Sequence, residues 1–480
     1  MLGHLIRKEI LEHILGLRFL ILSGIGAVVI WLSLYSGYAY YRDSLKDYRL
    51  AEVATETRMR QMMDADRMVA NPYTSWQEIN TPHYLIHKPP TSMCIFIRGL
   101  EPNLSRSAPG QWTGLRTKMS PAATEPILGF FPPLDLGRMV QVVLSLFVLL
   151  FTYDAICGEK ESGTLRLVSS FSVSKDRLLL GKFFGALIPI LAAFGLPLAA
   201  GVGVVLLMPE VQLSDPELMR LGWILIAFGL YLTAFTCAGL FVSSVAHRSA
   251  TSFALLLAFW VVTIAVVPRL SLIVAEGFRP APSYQEYQAE KFRIDKERAD
   301  IDRALRREWS DRHEGWWETP EGQEARHLNY GKIMVKAHEQ VKPQLDRLEE
   351  RFNNQYNARK ELAVTLGRFS PAFALKHAAV RLSGTGLDRQ RRFEAAYERH
   401  KKRDLAWWQK TAILDFLRRA HPAKYGEPRW DISDMPRFVF QEAWSEEEVR
   451  ATLVDIGILA IWGLVFFAGA YVGMLGYDVR

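Results

Sequence analysis

The sequence has few cysteines and lacks the motifs that mark common catalytic sites. Cys94, Cys157 and Cys237 fall in three different segments of the 480 residues, so no disulfide framework is predicted. No Gly-x-x-x-x-Gly-Lys-Ser/Thr phosphate loop occurs, and the chain is therefore not expected to hydrolyse ATP itself. His338-Glu339 lacks the second histidine of a zinc protease, and no Gly-x-Ser-x-Gly elbow is present. We expect a chain that is not an enzyme and has no cofactor of its own.

Charge is also missing where a proton- or sodium-coupled carrier would need it. Six blocks of the sequence are long and nearly uncharged, with no Asp, Glu or Lys near the middle of any of them. Ion-coupled carriers usually need such groups, because charge in hydrocarbon is tolerated only where it serves a pathway. Arg269, near the outer end of the fifth block, is explained by snorkelling to the interface. Energy for any movement must therefore come from outside the membrane.

Each apolar block is long enough to cross a hydrocarbon core of about 30 Å. The predicted spans are 19–41, 134–153, 183–208, 221–246, 251–275 and 453–475. The first block is too long for the apolar region of a cleavable signal, so it is expected to stay in the membrane. The predicted fold class is an all-α polytopic membrane protein with six transmembrane helices, a mainly helical extracytoplasmic domain and a smaller mixed one.

The orientation follows from the lysines and arginines of the short loops. Loop 154–182 contains Lys160, Arg166, Lys175, Arg177 and Lys182, whereas the 209–220 turn contains only Arg220. Short cytoplasmic loops carry the excess of positive charge, so loop 154–182 is predicted to be cytoplasmic. By alternation, residues 42–133 and 276–450 lie outside the membrane and both termini lie inside. The net charge of +7 suits a basic membrane-surface protein and needs no nucleic-acid partner.

The N-terminal residues 1–18 have a helical pattern, with Leu2, Leu5, Ile6, Ile10, Ile14 and Leu17 on one face and Arg7, Lys8, Glu12 and His13 on the other. This pattern predicts an amphipathic helix on the cytoplasmic surface. A plain extension of the first membrane helix is the alternative, and it predicts the same side.

The first outer segment, 42–133, is predicted to be a polar helix from Ser44 followed by irregular and short extended pieces, because prolines interrupt it repeatedly. His83 and His87 with Cys94 raise the question of a metal site. The flanking prolines disfavour a helix, and residues four apart on a strand are separated by about 13 Å, too far for one ion. No metal is predicted there.

The second outer segment, 276–450, is predicted to be mostly helical. Apolar residues from Met334 to Tyr356 alternate steps of three and four, which predicts a long packed helix kinked at Pro343, with residues 285–311 as its partner in a hairpin. Ser370-Pro371 predicts the start of a further helix, and Ser383-Gly384-Thr385-Gly386 its end. A polar helix follows from about Asp388. Aromatic residues then gather towards the last span, as at an outer interface or in a recognition patch: Trp407, Trp408, Trp430, Phe438, Phe440 and Trp444.

Residues 154–182 form a charged island between two apolar spans. The island is too polar for the bilayer core and too short for a domain, so a helix-turn-helix at the membrane surface would bury Leu165, Leu167, Phe171 and Leu178 to Leu180. Gly163 lets the chain turn before Thr164, which can cap the following helix. A solvated loop is the simpler reading of the charges taken alone.

The whole string resembles the type-2 ATP-binding-cassette (ABC) exporter permease pattern. It runs Glu159-x-Glu161-x-Gly163-Thr164-Leu165, then Leu167, Ser174, Arg177 and Leu180-Gly181-Lys182, with Ser172 where the family usually has proline. The resemblance implies that this loop receives the nucleotide-binding subunit. The implied docking and coupling residues are Glu159, Lys160, Glu161, Gly163, Thr164, Leu165, Arg177 and Lys182.

Further motifs extend the resemblance to a branch with large extracytoplasmic insertions after the first and fifth spans. They are Asn71-Pro72, Tyr153-Asp154-Ala155, Pro268-Arg269, Pro282-Ser283, Ser370-Pro371-Ala372, Ser383-Gly384-Thr385 and Met435-Pro436-Arg437-Phe438. The resemblance implies a multi-pass protein of a bacterial inner membrane. Its partners would be a second permease, identical or related, lipid, and two ATPase subunits that hold ATP and Mg.

Three functions remain open from the sequence. The first is the permease subunit of an ATP-driven exporter. The second is a mechanotransmitter, in which ATP hydrolysis inside drives the outer hairpin against an envelope partner and nothing crosses the bilayer. The third, a membrane-anchored envelope enzyme, lacks any catalytic constellation in the sequence.

Overall fold

The computed structural model describes residues 2–62, 85–109, 134–165, 174–316, 319–420, 435–440 and 446–476. Within these residues the chain is mostly helical, with one small sheet. The helices are α1 (Leu2–Ile14), α2 (Leu17–Met62), α3 (Leu136–Arg138, a π-helical Met139–Leu144, then Ser145–Thr152), α4 (Cys157–Glu161), α5 (Lys175–Leu206), α6 (Asp215–Val245), α7 (Ser249–Val261, a π-helical Val262–Val266, then Val267–Phe278), α8 (Tyr284–Arg312), α9 (Pro320–Gly367), α10 (Pro371–Leu382), α11 (Leu387–Ala420) and α12 (Glu446–Leu475).

Six of the described helices, α2, α3, α5, α6, α7 and α12, are long and apolar enough to cross a membrane. They occupy the ranges in which the six spans are predicted, so the helical character and the number of candidate spans are confirmed. In α6, 67% of the apolar stretch is buried, against 17% in α7 and in α12. Helix α6 is therefore the centre of the bundle, and α7 and α12 leave apolar faces uncovered.

Helix α2 is longer than a membrane crossing. The predicted span 19–41 and the predicted polar helix from Ser44 form one continuous helix of 46 residues, Leu17–Met62. At 1.5 Å per residue it measures about 69 Å, more than twice the hydrocarbon thickness. Its C-terminal half therefore projects beyond the bundle. We call this end of the bundle the hairpin end, and the opposite end, where α4 lies, the island end.

Short segments after α2 close over the hairpin end. Leu85–His87 and Ser107–Pro109 form the antiparallel strands β1 and β2, with Leu85 opposite Pro109. Between them, a 3-10 turn at Ser92–Ile95 is buried against α2, where a Cβ on Gly37 would lie 1.9 Å from the Ile95 carbonyl oxygen. The irregular and extended conformation predicted here is confirmed. Residues 63–84 and 110–133, including His83, lie outside the described residues.

The predicted pairing of two long helices in a hairpin is confirmed. Ile294 of α8 is buried with Ala337 and Val341 of α9. The ring centroids of Tyr287 and Phe352 lie 4.6 Å apart. Helix α9 continues through Pro343 from residue 320 to residue 367.

Helix α10 begins and ends as predicted. The Ser370 hydroxyl accepts the Phe373 N–H at 3.2 Å, Pro371 is the first helical residue, and Gly384 closes the helix with φ +66°. Its location is unexpected, since it is buried between α3, α6, α7 and α12. We call α10 the wedge helix.

Polar contacts join the wedge helix to three spans. Gln141 Nε2 of α3 donates to the Ala372 carbonyl oxygen at 3.0 Å, and the Ser370 hydroxyl donates to the Thr263 carbonyl oxygen of α7 at 2.5 Å. Both Gln141 and Thr263 lie in π-helical segments, which release carbonyl groups from the regular helical pattern. Asp455 of α12 is fully buried and accepts hydrogen bonds from Arg368 Nε and His377 Nδ1, each at 2.6 Å.

A buried ion-pair cluster joins the two outer segments. Lys88 Nζ lies 3.6 Å from Glu101 Oε2, and Arg389 Nη1 lies 3.5 Å from Glu101 Oε1. Burial lowers the pKa of Lys88 to about 8, although Glu101 acts in the opposite direction. Two of the aromatic residues that gather before the last span, Phe438 and Phe440, pack on Phe393 of α11. Trp430 and Trp444 fall among residues that the structure does not describe.

Candidate coupling site

The island begins with a short helix fixed to the central span. Helix α3 ends at Thr152, the chain turns, and α4 follows at Cys157–Glu161. The first N–H groups of a helix have no partner within it. Here the Ser243 hydroxyl of α6 accepts the N–H groups of Ile156 and Cys157 at 2.9 and 3.0 Å. Helix α4 is therefore attached to the bundle from its first residue.

Gly163 provides the turn that the sequence predicts. Its φ of +78° lies in the left-handed region, which glycine adopts without the steric cost of a side chain. The hydroxyls of Ser162 and Thr164 lie 2.9 Å apart across the turn. A new helical turn starts at Thr164 and Leu165. The rest of the island up to Val173, including Leu167, Phe171 and Ser172, lies outside the described residues.

Glu159 points inward and forms an ion pair. Lys182 Nζ of α5 lies 2.8 Å from Glu159 Oε1 and 3.5 Å from Glu9 Oε1 of α1. The side chains of Lys182 and Glu9 are only 2% and 9% exposed. One buried cation thus links α4, α5 and the N-terminal helix, and removing Lys182 would leave two carboxylates without their shared cation.

Lys160 binds the end of α6. Its Nζ donates to the carbonyl oxygen of Ser244 and, at 3.3 Å, to that of Ala246. The last carbonyl groups of a helix have no partner within it and carry partial negative charge. The Lys160 ammonium therefore caps the C-terminus of the central span.

Glu161 binds the start of α7 in the complementary way. Its Oε2 accepts the Ser249 N–H at 3.1 Å and the Ser249 hydroxyl at 2.8 Å. A carboxylate at a helix N-terminus satisfies free N–H groups and the helix dipole. Successive residues of α4 therefore contact α5, then α6, then α7.

Apolar side chains of the island pack against the helix bundle, as predicted. Leu165 is 3% exposed and packs in one cluster with Ile156, Leu178, Leu179 and Leu240, among others. The predicted burial is confirmed for Leu165, Leu178 and Leu179, whereas Leu180 is only half-buried.

The predicted docking residues thus divide into two groups. Glu159, Lys160, Leu165 and Lys182 face the bundle, and the Glu161 carboxylate is held by Ser249 although its residue is exposed. Thr164 and Arg177 are exposed.

The structure adds the N-terminal helix to the site. A Cβ on Gly181 would lie 2.1 Å from Leu5 Cδ2, and one on Gly185 would lie 2.4 Å from Glu9 Cβ, so α1 packs directly on α5. The Arg18 guanidinium also pairs with Asp154 at 2.8 Å. Glu9 was not among the predicted residues. The sequence feature that could have indicated Glu9 is its position as an acidic residue on the apolar face of an amphipathic helix.

Among the described residues, no group of three or more His, Cys, Asp or Glu side chains could hold a metal ion. Cys94, Cys157 and Cys237 are buried free thiols.

Residues 4–335 match the family model described as "ABC-2 family transporter protein". Residues 284–452, which include the hairpin, the wedge helix and α11, match a domain of unknown function, DUF3526. Two curated relatives are both described as "Probable ABC transporter permease protein NosY". The Pseudomonas aeruginosa protein is 40% identical over 82 residues, 16% of this chain and 29% of the relative. The Stutzerimonas stutzeri protein is 33% identical over 109 residues, 22% of this chain and 36% of the relative. The chain thus covers well under two thirds of the length of either relative.

Proposed function

The chain belongs to the ABC-2 family of transporter proteins, and from that premise we propose that it is the permease subunit of an ATP-driven exporter. Membrane subunits of this family lack an ATPase domain, so ATP and Mg are held by a separate subunit. We propose a complex of two permeases, identical or related, with two ATPase subunits in a bacterial inner membrane. Loop charge supports a cytoplasmic island and cytoplasmic termini.

The observation that carries the proposal is the attachment of α4 to three helices by consecutive charged residues. Glu159, Lys160 and Glu161 bond to Lys182, to the end of α6 and to the start of α7. Closure of the ATPase dimer would push on the exposed face of the island. Because α4 is bonded to the bundle at each of these points, the push would be transmitted to α5, α6 and α7.

This proposal separates docking from transmission. Thr164 and Arg177 face outward and would contact the ATPase, whereas Glu159 and Glu161 would transmit its movement. We therefore expect T164E/R177E to reduce co-purification of the ATPase at least tenfold. E159Q/E161Q should retain the ATPase but reduce the ATP turnover of the complex in lipid. Asp176→Asn is the control, since Asp176 is exposed beside Arg177.

The measurement is ATPase co-purification and ATP turnover of the reconstituted complex. Unchanged assembly in T164E/R177E would reject the docking face. Unchanged turnover in E159Q/E161Q would reject transmission through α4.

A second candidate function is mechanotransmission to an envelope partner, and the wedge helix favours it. Helix α9 of the hairpin leads directly into α10, which is hydrogen-bonded to α3, α7 and α12. Movement of the spans would therefore reach the hairpin without any path for a substrate. Site-specific cross-linking from the hairpin tip in cells discriminates: a specific envelope protein captured only in the presence of ATP supports this function, and an unoccupied tip supports export.

A further inference from the structure

Two basic residues, Arg138 of α3 and Lys376 of the wedge helix, lie near the contact between these helices at the hairpin end. The hydrogen bond from Gln141 Nε2 to the Ala372 carbonyl oxygen fixes the contact. Arg138 precedes Gln141 by three residues, and Lys376 follows Ala372 by four, so each lies one turn away on the same helix face. Both cations therefore lie along the seam between α3 and α10.

Among the described residues, the carboxylate of Asp135 lies near this seam, and it is already engaged. Asp135 Oδ1 accepts the backbone N–H of Arg138 at 2.7 Å and caps the first turn of α3. Arg98 approaches the same carboxylate, because the Phe96 carbonyl oxygen accepts the Leu136 N–H at 3.2 Å. Arg98 also donates to the Ser36 hydroxyl at 2.7 Å and lies 4.8 Å from the Tyr40 ring. The charge of Asp135 therefore acts on both Arg98 and Lys376.

The basic groups are incompletely satisfied. Arg138 Nη1 and Arg98 Nε are buried and have no hydrogen-bond partner in the part of the chain that the structure describes. Partial burial and then the charge of Arg138 lower the pKa of Lys376, while Asp135 acts in the opposite direction. Arg138 is half-buried and Lys376 is exposed, so the pair can be reached from outside the bundle. Holding like charges close together is unfavourable unless an anion compensates them.

We propose that Arg138 and Lys376, backed by Arg98, form a binding site for a phosphate-type oxyanion. Arginine presents its N–H groups in a fork that matches the oxygens of a phosphate, and lysine adds a point charge. The site lies at the first turn of a candidate span, where a lipid headgroup is within reach. The oxyanion is supplied by the headgroup of an anionic lipid or by a soluble phosphate ester. This inference does not depend on the proposed export function.

The test uses the full-length protein in detergent with two probes. Native mass spectrometry with dioleoyl-phosphatidylglycerol, against dioleoyl-phosphatidylcholine, reports the lipid source. Calorimetric titration with inorganic phosphate reports the soluble source. The variant is R138Q/K376Q, and R138K/K376R keeps both charges in case the first variant folds poorly. Arg279→Gln is the control, because Arg279 is an exposed basic residue at the hairpin end of α7.

We expect at least one probe to bind wild type and R279Q equally and to bind R138Q/K376Q at least tenfold more weakly, with R138K/K376R keeping most of the affinity. Loss of phosphatidylglycerol binding alone identifies a lipid site, and loss of phosphate binding identifies a soluble ligand. Equal binding of both probes by wild type and R138Q/K376Q, or no binding of either by wild type, overturns the proposal.

Discussion

At the residue scale, the charged side chains of the island act within the molecule. Glu159 and Lys160 are the residues that a sequence pattern would assign to a partner, yet their charged groups contact α5 and α6. Thr164 and Arg177, by contrast, are exposed.

Lys182→Gln should destabilise the protein. It would leave Glu9 and Glu159 buried without their cation, and breaking a buried pair by removing one partner costs about 3–5 kcal/mol. We expect a clearly lower Tm for the purified protein. Lys8→Gln is the control, since Lys8 is 59% exposed and lies 3.9 Å from Glu9, a longer contact than that of Lys182 with Glu9. A Tm for K182Q equal to that of K8Q would contradict the role of the buried cation. In E9Q/E159Q/K182Q part of the lost stability should return.

The pKa of His13 makes the packing of α1 on the bundle depend on pH. Burial lowers the pKa of His13 below its ordinary value of 6.5, with Lys182 acting in the same direction and Glu9 against it. The detached helix therefore binds the proton more tightly than the docked helix. Docking should be unaffected above the ordinary pKa and should weaken as the pH falls through 6.5 towards the lowered value.

Hydrogen exchange of residues 2–14, corrected for the intrinsic rate, measures this effect. Protection should be lower at pH about 5.5 than at pH about 7.5, on either side of the ordinary histidine pKa. In His13→Gln the difference should disappear. The same pH dependence in wild type and H13Q would show that another group is responsible.

At the element scale, the N-terminal helix is part of the coupling site because two glycines let it approach α5. Gly181 and Gly185 meet Leu5 and Glu9, whereas Gly195 of the same helix has no atom within 4 Å of a built Cβ. Gly181 and Gly185 thus form the face of α5 on which α1 packs.

Gly185→Ala should loosen α1, with Gly195→Ala as a matched control in the same helix. The added Cβ would lie 2.4 Å from Glu9 Cβ, too close to be accommodated without a shift of α1. Overpacking of this kind costs about 1–3 kcal/mol. Hydrogen exchange of residues 2–14 should accelerate in G185A and remain as in wild type in G195A. Equal protection in the two variants would mean that α1 is not held by this contact.

At the scale of the whole molecule, local sequence patterns predict the individual helices. Which helices pack together depends on contacts between residues far apart in the chain. Patterns among neighbouring residues define the six apolar runs, the seam of α9 and the cap at Ser370-Pro371. The sequence therefore indicates these features directly. Burial of the wedge helix depends on Gln141 meeting Ala372, 231 residues away. The partners of Glu159, Lys160 and Glu161 come from three other helices, which residue spacing along one chain does not reveal.

The central claim is that movement of the ATPase passes through α4 into the bundle and reaches the hairpin end. An environment-sensitive fluorophore on a cysteine introduced at Phe278, which is 77% exposed at the hairpin end of α7, reports that movement in the reconstituted complex. Adding ATP and Mg should change the fluorescence in the wild-type background. In E159Q/K160Q/E161Q, compared at equal ATPase occupancy, the change should be at least several-fold smaller. An undiminished change in that variant would contradict the account.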